Sequence, residues 1–121
     1  MNKEEMDNFL VSIGGLENGY FTDRPKIVDA YFFECDSGWY SLIKELIEKL
    51  IEIGWDKQVT QVKEKFGGLR FYTNSLPDGG QDLIRDAENK SLETCEVCGE
   101  PGEIEGNTRW LKCLCDKHKL R

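Results

Sequence analysis

Apolar positions change period three times along this chain, and each change marks an element. After Asn2 and Glu5, spaced as a helix N-cap and its reciprocal acidic partner, Met6, Phe9, Leu10 and Ile13 recur at helical spacing until Gly14-Gly15 ends the run. Residues 16–30 carry Gly19, Pro25 and scattered charges and read as irregular. Tyr31-Phe32-Phe33 reads either as a short strand or as an apolar lead-in to the next helix. The main helix is expected over roughly 38–53, capped by Asp36 or Ser37. Its wide stripe is Leu42, Ile43, Leu46, Ile47, Leu50 and Ile51, and Gly54 is placed to stop it. The stripe predicts a core helix, with an amphipathic partner-binding helix as the alternative.

From Gln58 to Asn74 the period falls to two, in runs split by Gly67-Gly68, which is a hairpin signal. If only those glycines form the turn, Phe66 faces Leu69, Lys65 faces Arg70 and Lys63 faces Tyr72. Val62, Phe66, Leu69 and Phe71 then share one face, with Glu64 awkwardly among them. Lys63, Lys65, Arg70 and Tyr72 share the other. A bulge would shift this register. Pro77-Asp78-Gly79-Gly80 is a turn, and a helix over about 81–93 should bury Leu83, Ile84, Ala87 and Leu92. Gly102 and Gly106-Asn107 bracket a second hairpin ending in Arg109-Trp110-Leu111-Lys112. The fold class expected is α+β: an antiparallel hairpin or small sheet packed on helices, with a C-terminal zinc-ribbon-like knuckle. The 121 residues are expected to form a single domain. It divides into an N-terminal helix and irregular segment (1–35), an α+β core (36–93) and the knuckle (94–121).

Chemistry is concentrated at the C-terminal end. Cys95-Glu96-Val97-Cys98 and Cys115-Asp116-Lys117-His118 each place two metal-binding side chains two residues apart, with sixteen residues between the pairs. Two intervening residues allow a tight turn to aim both side chains at one ion. Three sulfurs and one nitrogen complete a tetrahedron and leave no position for substrate water. The expectation is a structural Zn2+ held by Cys95, Cys98, Cys115 and His118. Cys113 is the alternative to Cys115, with the poorer spacing. Because His118 is the only histidine, a zinc-bound imidazole leaves none for acid–base work, and the reading leans away from an enzyme.

Four stretches together resemble a group of small bacterial and phage proteins: Gly38-Trp39-Tyr40, the string Gln61-Val62-Lys63-Glu64-Lys65-Phe66-Gly67-Gly68-Leu69-Arg70-Phe71-Tyr72, Thr94-Cys95-Glu96-Val97-Cys98-Gly99, and Leu114-Cys115-Asp116-Lys117-His118. The resemblance covers about 36–118 and implies the domain rather than an activity. With a phage origin, the resemblance would make interference with nucleotide signalling plausible. Cys113 departs from the group's pattern, which favours a spare thiol.

The net charge of −7 argues against duplex DNA as a partner. Residues 58–72 carry +2, so the remainder holds −9 and the hairpin is a positive island. No stretch has the ~18–20 apolar residues of a membrane span, and the N-terminus is not that of a signal peptide. Five cysteines, an odd number, point to a reducing cytoplasm rather than a disulfide framework. The candidate ligand site is Lys63, Lys65, Arg70 and Tyr72, with Gly67 and Gly68 offering backbone N–H groups to an anion. Two functions follow. One is capture of a small phosphorylated ligand such as a nucleotide on this basic–aromatic hairpin. The other is a protein-interaction or single-stranded nucleic-acid adaptor using the knuckle surface around Trp110.

Overall fold

The computed structural model describes residues 1–13, 33–73, 75–107 and 109–119. The expected Gly14-Gly15 stop, the irregular stretch 16–30 and Tyr31-Phe32 lie outside the described residues. Helix α1 (Lys3–Ser12) begins with the expected reciprocal cap: the Glu5 N–H donates to Asn2 Oδ1 and the Asn2 N–H donates to Glu5 Oε1. Its buried residues, Met6 and Leu10, belong to the main core. Strand β1 (Phe33–Glu34) buries Phe33, so this aromatic belongs to a strand.

Helix α2 (Tyr40–Glu52) is entered through a 3-10 turn at Ser37–Trp39. Its stripe is the centre of the protein: Ile43, Leu46, Ile47 and Leu50 are buried, and Leu42 and Ile51 pack at the edge. At its end the Gly54 N–H donates to the Ile51 carbonyl and the Trp55 N–H to the Leu50 carbonyl, the paired reverse bonds that terminate a helix at glycine. The expected side-chain cap at Asp36 or Ser37 is not made. The groups at this end are satisfied from sixty residues away, as the next section describes.

Strands β2 (Val59–Lys65) and β3 (Gly68–Thr73) pair antiparallel, and β1 joins β2 in parallel, giving a mixed sheet ordered β1-β2-β3. The turn differs from expectation. Lys65 pairs with Gly68, so Phe66 and Gly67 are the two turn residues, at φ 54° and 84°. Positive φ at both central positions matches the twist of a two-residue hairpin. Lys63 therefore faces Arg70, and Gln61 faces Tyr72. The sum of paired positions changes by two, and with a side-chain period of two the faces are unaltered. Val62, Leu69 and Phe71 are buried together, while Phe66, expected on that face, is 62% exposed in the turn.

Helix α3 (Gly80–Ser91) packs against α2 and along β3. It buries Ile84 and Ala87, with Leu83 at the core's edge, but Leu92 lies just beyond the helix and is 41% exposed rather than buried. Two side chains of α3 cover the open edge of β3. The Leu69 N–H donates to Ser91 Oγ, and the Phe71 N–H donates to Glu88 Oε2. An edge strand sheathed in this way offers less to a stray β-strand. A second antiparallel pair, β4 (Glu103–Asn107) and β5 (Trp110–Leu114), completes the α+β fold. No helix among the described residues is long and apolar enough to cross a membrane.

Truncating a buried residue of the α2 stripe opens a cavity in the core. Leu46→Ala or Ile47→Ala is expected to cost ~2–5 kcal/mol. Glu45→Ala, which removes a surface pairing with Lys49, should stay within about 0.5 kcal/mol. Denaturant unfolding of the three variants checks this, and equal losses would show that α2 is not packed as described.

Candidate metal centre and hairpin face

Each half of the Cys/His cluster is shaped by its own tight turn. In the first, the Gly99 N–H donates to the Cys95 carbonyl. In the second, the His118 N–H donates to the Cys115 carbonyl. The two halves are stitched by the Glu96 N–H donating to the Cys113 carbonyl, so β5 carries the second half onto the first. The donor atoms of Cys95, Cys98, Cys115 and His118 consequently all lie within 4.8 Å of one another.

This spacing fits a metal ion. The Cys98 and Cys115 sulfurs are 3.6 Å apart, and His118 Nδ1 is 3.2 Å from the Cys115 sulfur and 3.6 Å from that of Cys95. A tetrahedral ion about 2.3 Å from each sulfur sets neighbouring sulfurs ~3.8 Å apart, whereas a disulfide would draw them to about 2.05 Å. Electrostatics agree. Burial by itself raises the Cys95 thiol pKa, but N–H groups of Cys115, Cys98 and Val97 and the His118 ring converge on the sulfur and hold it at about 6. A thiolate is therefore ready at neutral pH. At Cys98 the Glu100 amide favours ionisation, but desolvation and then the adjoining sulfurs of Cys115 and Cys95 together outweigh it and push the thiol up. Crowded thiolates repel one another, and a cation among them removes that repulsion. The four residues can hold a metal ion.

The remaining cysteines are placed differently. Cys113 is fully buried in the main core, and burial first of all pushes its thiol up to about 11. Cys35 packs at the edge of the same core. Burial, then the charges of Glu96, Asp36 and Glu64, push it up to about 12. Neither is a ready thiolate.

The knuckle is seated on the start of α2 through Glu96, which nothing in the sequence pattern marked. Its carbonyl accepts the Gly38 N–H at 2.8 Å, and its Oε2 accepts the Asp36 N–H at 3.0 Å. Glu96 is 3% exposed, and burial outweighs these donors to push its carboxyl above the ordinary range. Trp39 Nε1 donates to the Thr94 carbonyl beside it. Lys112 then bridges two carboxylates, with Nζ 2.8 Å from Glu64 and 3.5 Å from Glu96. Burial raises the Glu64 carboxyl, but the Lys112 ammonium and the Gly67 N–H win and hold it low. Glu64 was the polar residue out of place on the hairpin's apolar face. Its partner explains the misfit.

The Gly67 amide serves this docking instead of standing open to an anion. The Gly67 N–H donates to Glu64 Oε2 at 2.8 Å, and a Cβ there would lie 2.7 Å from Ile104 of β4. Gly68 is buried, and a Cβ there would lie 3.0 Å from Leu92. Lys63, Lys65, Arg70 and Tyr72 occupy the opposite face of the hairpin, with Lys63 and Arg70 directly across from each other. Arg70 Nη1 donates to its neighbour's carbonyl, on Leu69. Glu34 lies alongside Lys63 in the parallel pairing, and its Oε1 accepts from Gln61 Nε2 at 3.5 Å. Trp110 is 57% exposed on β5. No family model, no curated protein and no solved structure matches the chain significantly.

Gly38 tests the seating. A Cβ on it would overlap the carbonyl oxygens of Glu96 and Cys95. Gly38→Ala is expected to destabilise the protein by about 1–3 kcal/mol, the cost of overpacking. Wild-type stability in equilibrium unfolding would show that the knuckle is not held there.

Proposed function

We propose that the chain is a non-catalytic binding protein, stapled by a structural Zn2+, that captures a small phosphorylated ligand on the outward face of the β2–β3 hairpin. The observation that carries the ligand reading is the Lys63–Arg70 pair. Like charges directly across a ladder cost stability, and Lys63 stands directly across from Arg70. Lys65 adds a third cation on the same face, and Tyr72, 41% exposed, adds an aromatic surface. A phosphate group would neutralise the strip. The Arg70 guanidinium can meet two oxygens at once, which an ammonium cannot. Zn2+ is the metal that a three-thiolate, one-imidazole tetrahedron suits best. With all four positions taken by protein, it would hold the fold rather than activate water.

Two measurements check this reading. Elemental analysis of the native protein should find about one equivalent of zinc. Chelation should unfold at least residues 94–119, because metal-binding free energy in such a site is folding free energy. Less than a tenth of an equivalent of any metal would end the zinc assignment. Calorimetry against pyrophosphate and mono-, di- and cyclic nucleotides should find a ligand. Arg70→Ala should weaken that ligand tenfold or more with little change in melting temperature, and Arg70→Lys should restore it only in part. An Arg70→Ala variant that binds like wild type would reduce this face to solvated surface.

A further inference from the structure

A second concave surface lies where the tip of the first hairpin meets the second. It is a cleft of about 260 Å³, with Lys65 and Phe66 on one side and Arg109 and Trp110 on the other. Both rings are largely open to solvent, Phe66 at 62% and Trp110 at 57%. The chain's other two tryptophans, Trp39 and Trp55, are buried. Phe66 also holds a left-handed backbone conformation, φ 54°, that costs a non-glycine residue free energy. Glycine or asparagine would serve that turn with less strain, so an exposed ring kept there is not explained by folding.

The cations lining the cleft are of two kinds, paired and unpaired. Lys112 stands 5.6 Å from the Trp110 ring, but its ammonium is already matched by Glu64 and Glu96. Its charge is therefore spent within the protein. Among the described residues Lys65 and Arg109 enter no ion pair, so the rim keeps two cations in a protein of net charge −7. Two aromatic side chains and two cations, with Lys65 Nζ 5.6 Å from the Phe66 ring, complement a planar ring carrying negative charge, which is the chemistry of a nucleotide. At about 260 Å³ the cleft falls below the ~300–1,000 Å³ of sites that enclose whole drug-sized ligands. It has room for one ring system, with the phosphate left at the rim.

We propose that the Phe66–Trp110 cleft is a base-stacking site for a nucleotide, free or within a single strand, whose phosphate is held by Lys65 and Arg109. The proposal rests on the hairpin-face reading only through Lys65, which belongs to both surfaces, and its own residues allow it to be tested apart. Stacking of a base on an aromatic side chain contributes ~1–3 kcal/mol and tolerates any base. Removing one ring should therefore weaken binding by roughly 5- to 150-fold.

The test is tryptophan fluorescence of the full, metal-loaded chain, because Trp110 alone of the three tryptophans is exposed to a quencher. Adenosine monophosphate or a six-nucleotide single-stranded oligothymidylate should quench it, and pyrophosphate, which has no ring, should not. Quenching by the mononucleotide identifies a free nucleotide as ligand, and quenching by the oligomer alone identifies a single strand. Trp110→Ala and Phe66→Ala should each lose affinity by the stated range in calorimetry, and Trp110→Phe should keep most of it, all with unchanged metal content. The absence of quenching by both probes, or wild-type affinity in both alanine variants, would overturn the proposal. Loss of binding in Arg70→Ala alone would leave the hairpin face standing without the cleft. Quenching that survives Arg70→Ala would establish the cleft without the hairpin face.

Discussion

Glu96 joins the first metal knuckle to the start of α2. Its carbonyl and carboxylate accept backbone N–H groups of Gly38 and Asp36 at the entry to α2, and Lys112 carries its charge across to Glu64 on the hairpin. A carboxylate buried this deeply is costly unless its oxygens are matched. Here the match comes from the main chain of one element and the ammonium of another. The start of α2, the first metal knuckle, β5 and the β2–β3 turn therefore meet around one charged cluster. Removing one member would leave buried charge without a partner, which costs more than the intact cluster contributes.

The dependence is sharpened by how little core the metal-binding part has. Around the cluster only Cys95, Leu114 and Cys115 form a buried group of their own, whereas the main core gathers residues from α1, β1, α2, the first hairpin and α3. A unit this small needs a staple, and a bound metal supplies one by converting binding free energy into folding free energy. Cys113 shows how closely the two parts are joined. It lies on β5 between the knuckle halves, yet its side chain is buried in the main core. A metal held by the four residues and the seating on α2 would thus act on one structure.

The docking also determines which surfaces remain open. With the Gly67 amide bound to Glu64 and its Cα pressed toward Ile104, the glycine turn is used for packing, and cations and rings are left facing solvent. On the sheet's outward face these are Lys63, Lys65, Arg70 and Tyr72. At the seam of the two hairpins they are Lys65, Phe66, Arg109 and Trp110. The two surfaces meet at Lys65. A ligand whose charge and ring are close together would find both near one end of the first hairpin.

Local features were legible in the residues because they obey short-range rules. The reciprocal cap of α1, the stripe of α2, the helix stop at Gly54 and the faces of the hairpin follow from spacing within a few residues. So does the convergence of Cys95, Cys98, Cys115 and His118, whose ligand spacing constrains the intervening chain. The hairpin faces survived a misjudged turn because a shift of two leaves a period of two unchanged. What sequence could not show was settled between residues about 15 to 60 apart. Glu96 replaces the missing cap of α2, Lys112 explains Glu64, Ser91 and Glu88 cover the edge of β3, and Phe66 meets Trp110 across a seam. The physical reason is common to all of them. Such partners meet only after elements pack, and a buried donor, acceptor or charge accepts whichever distant group the packing brings within reach, which no local periodicity encodes.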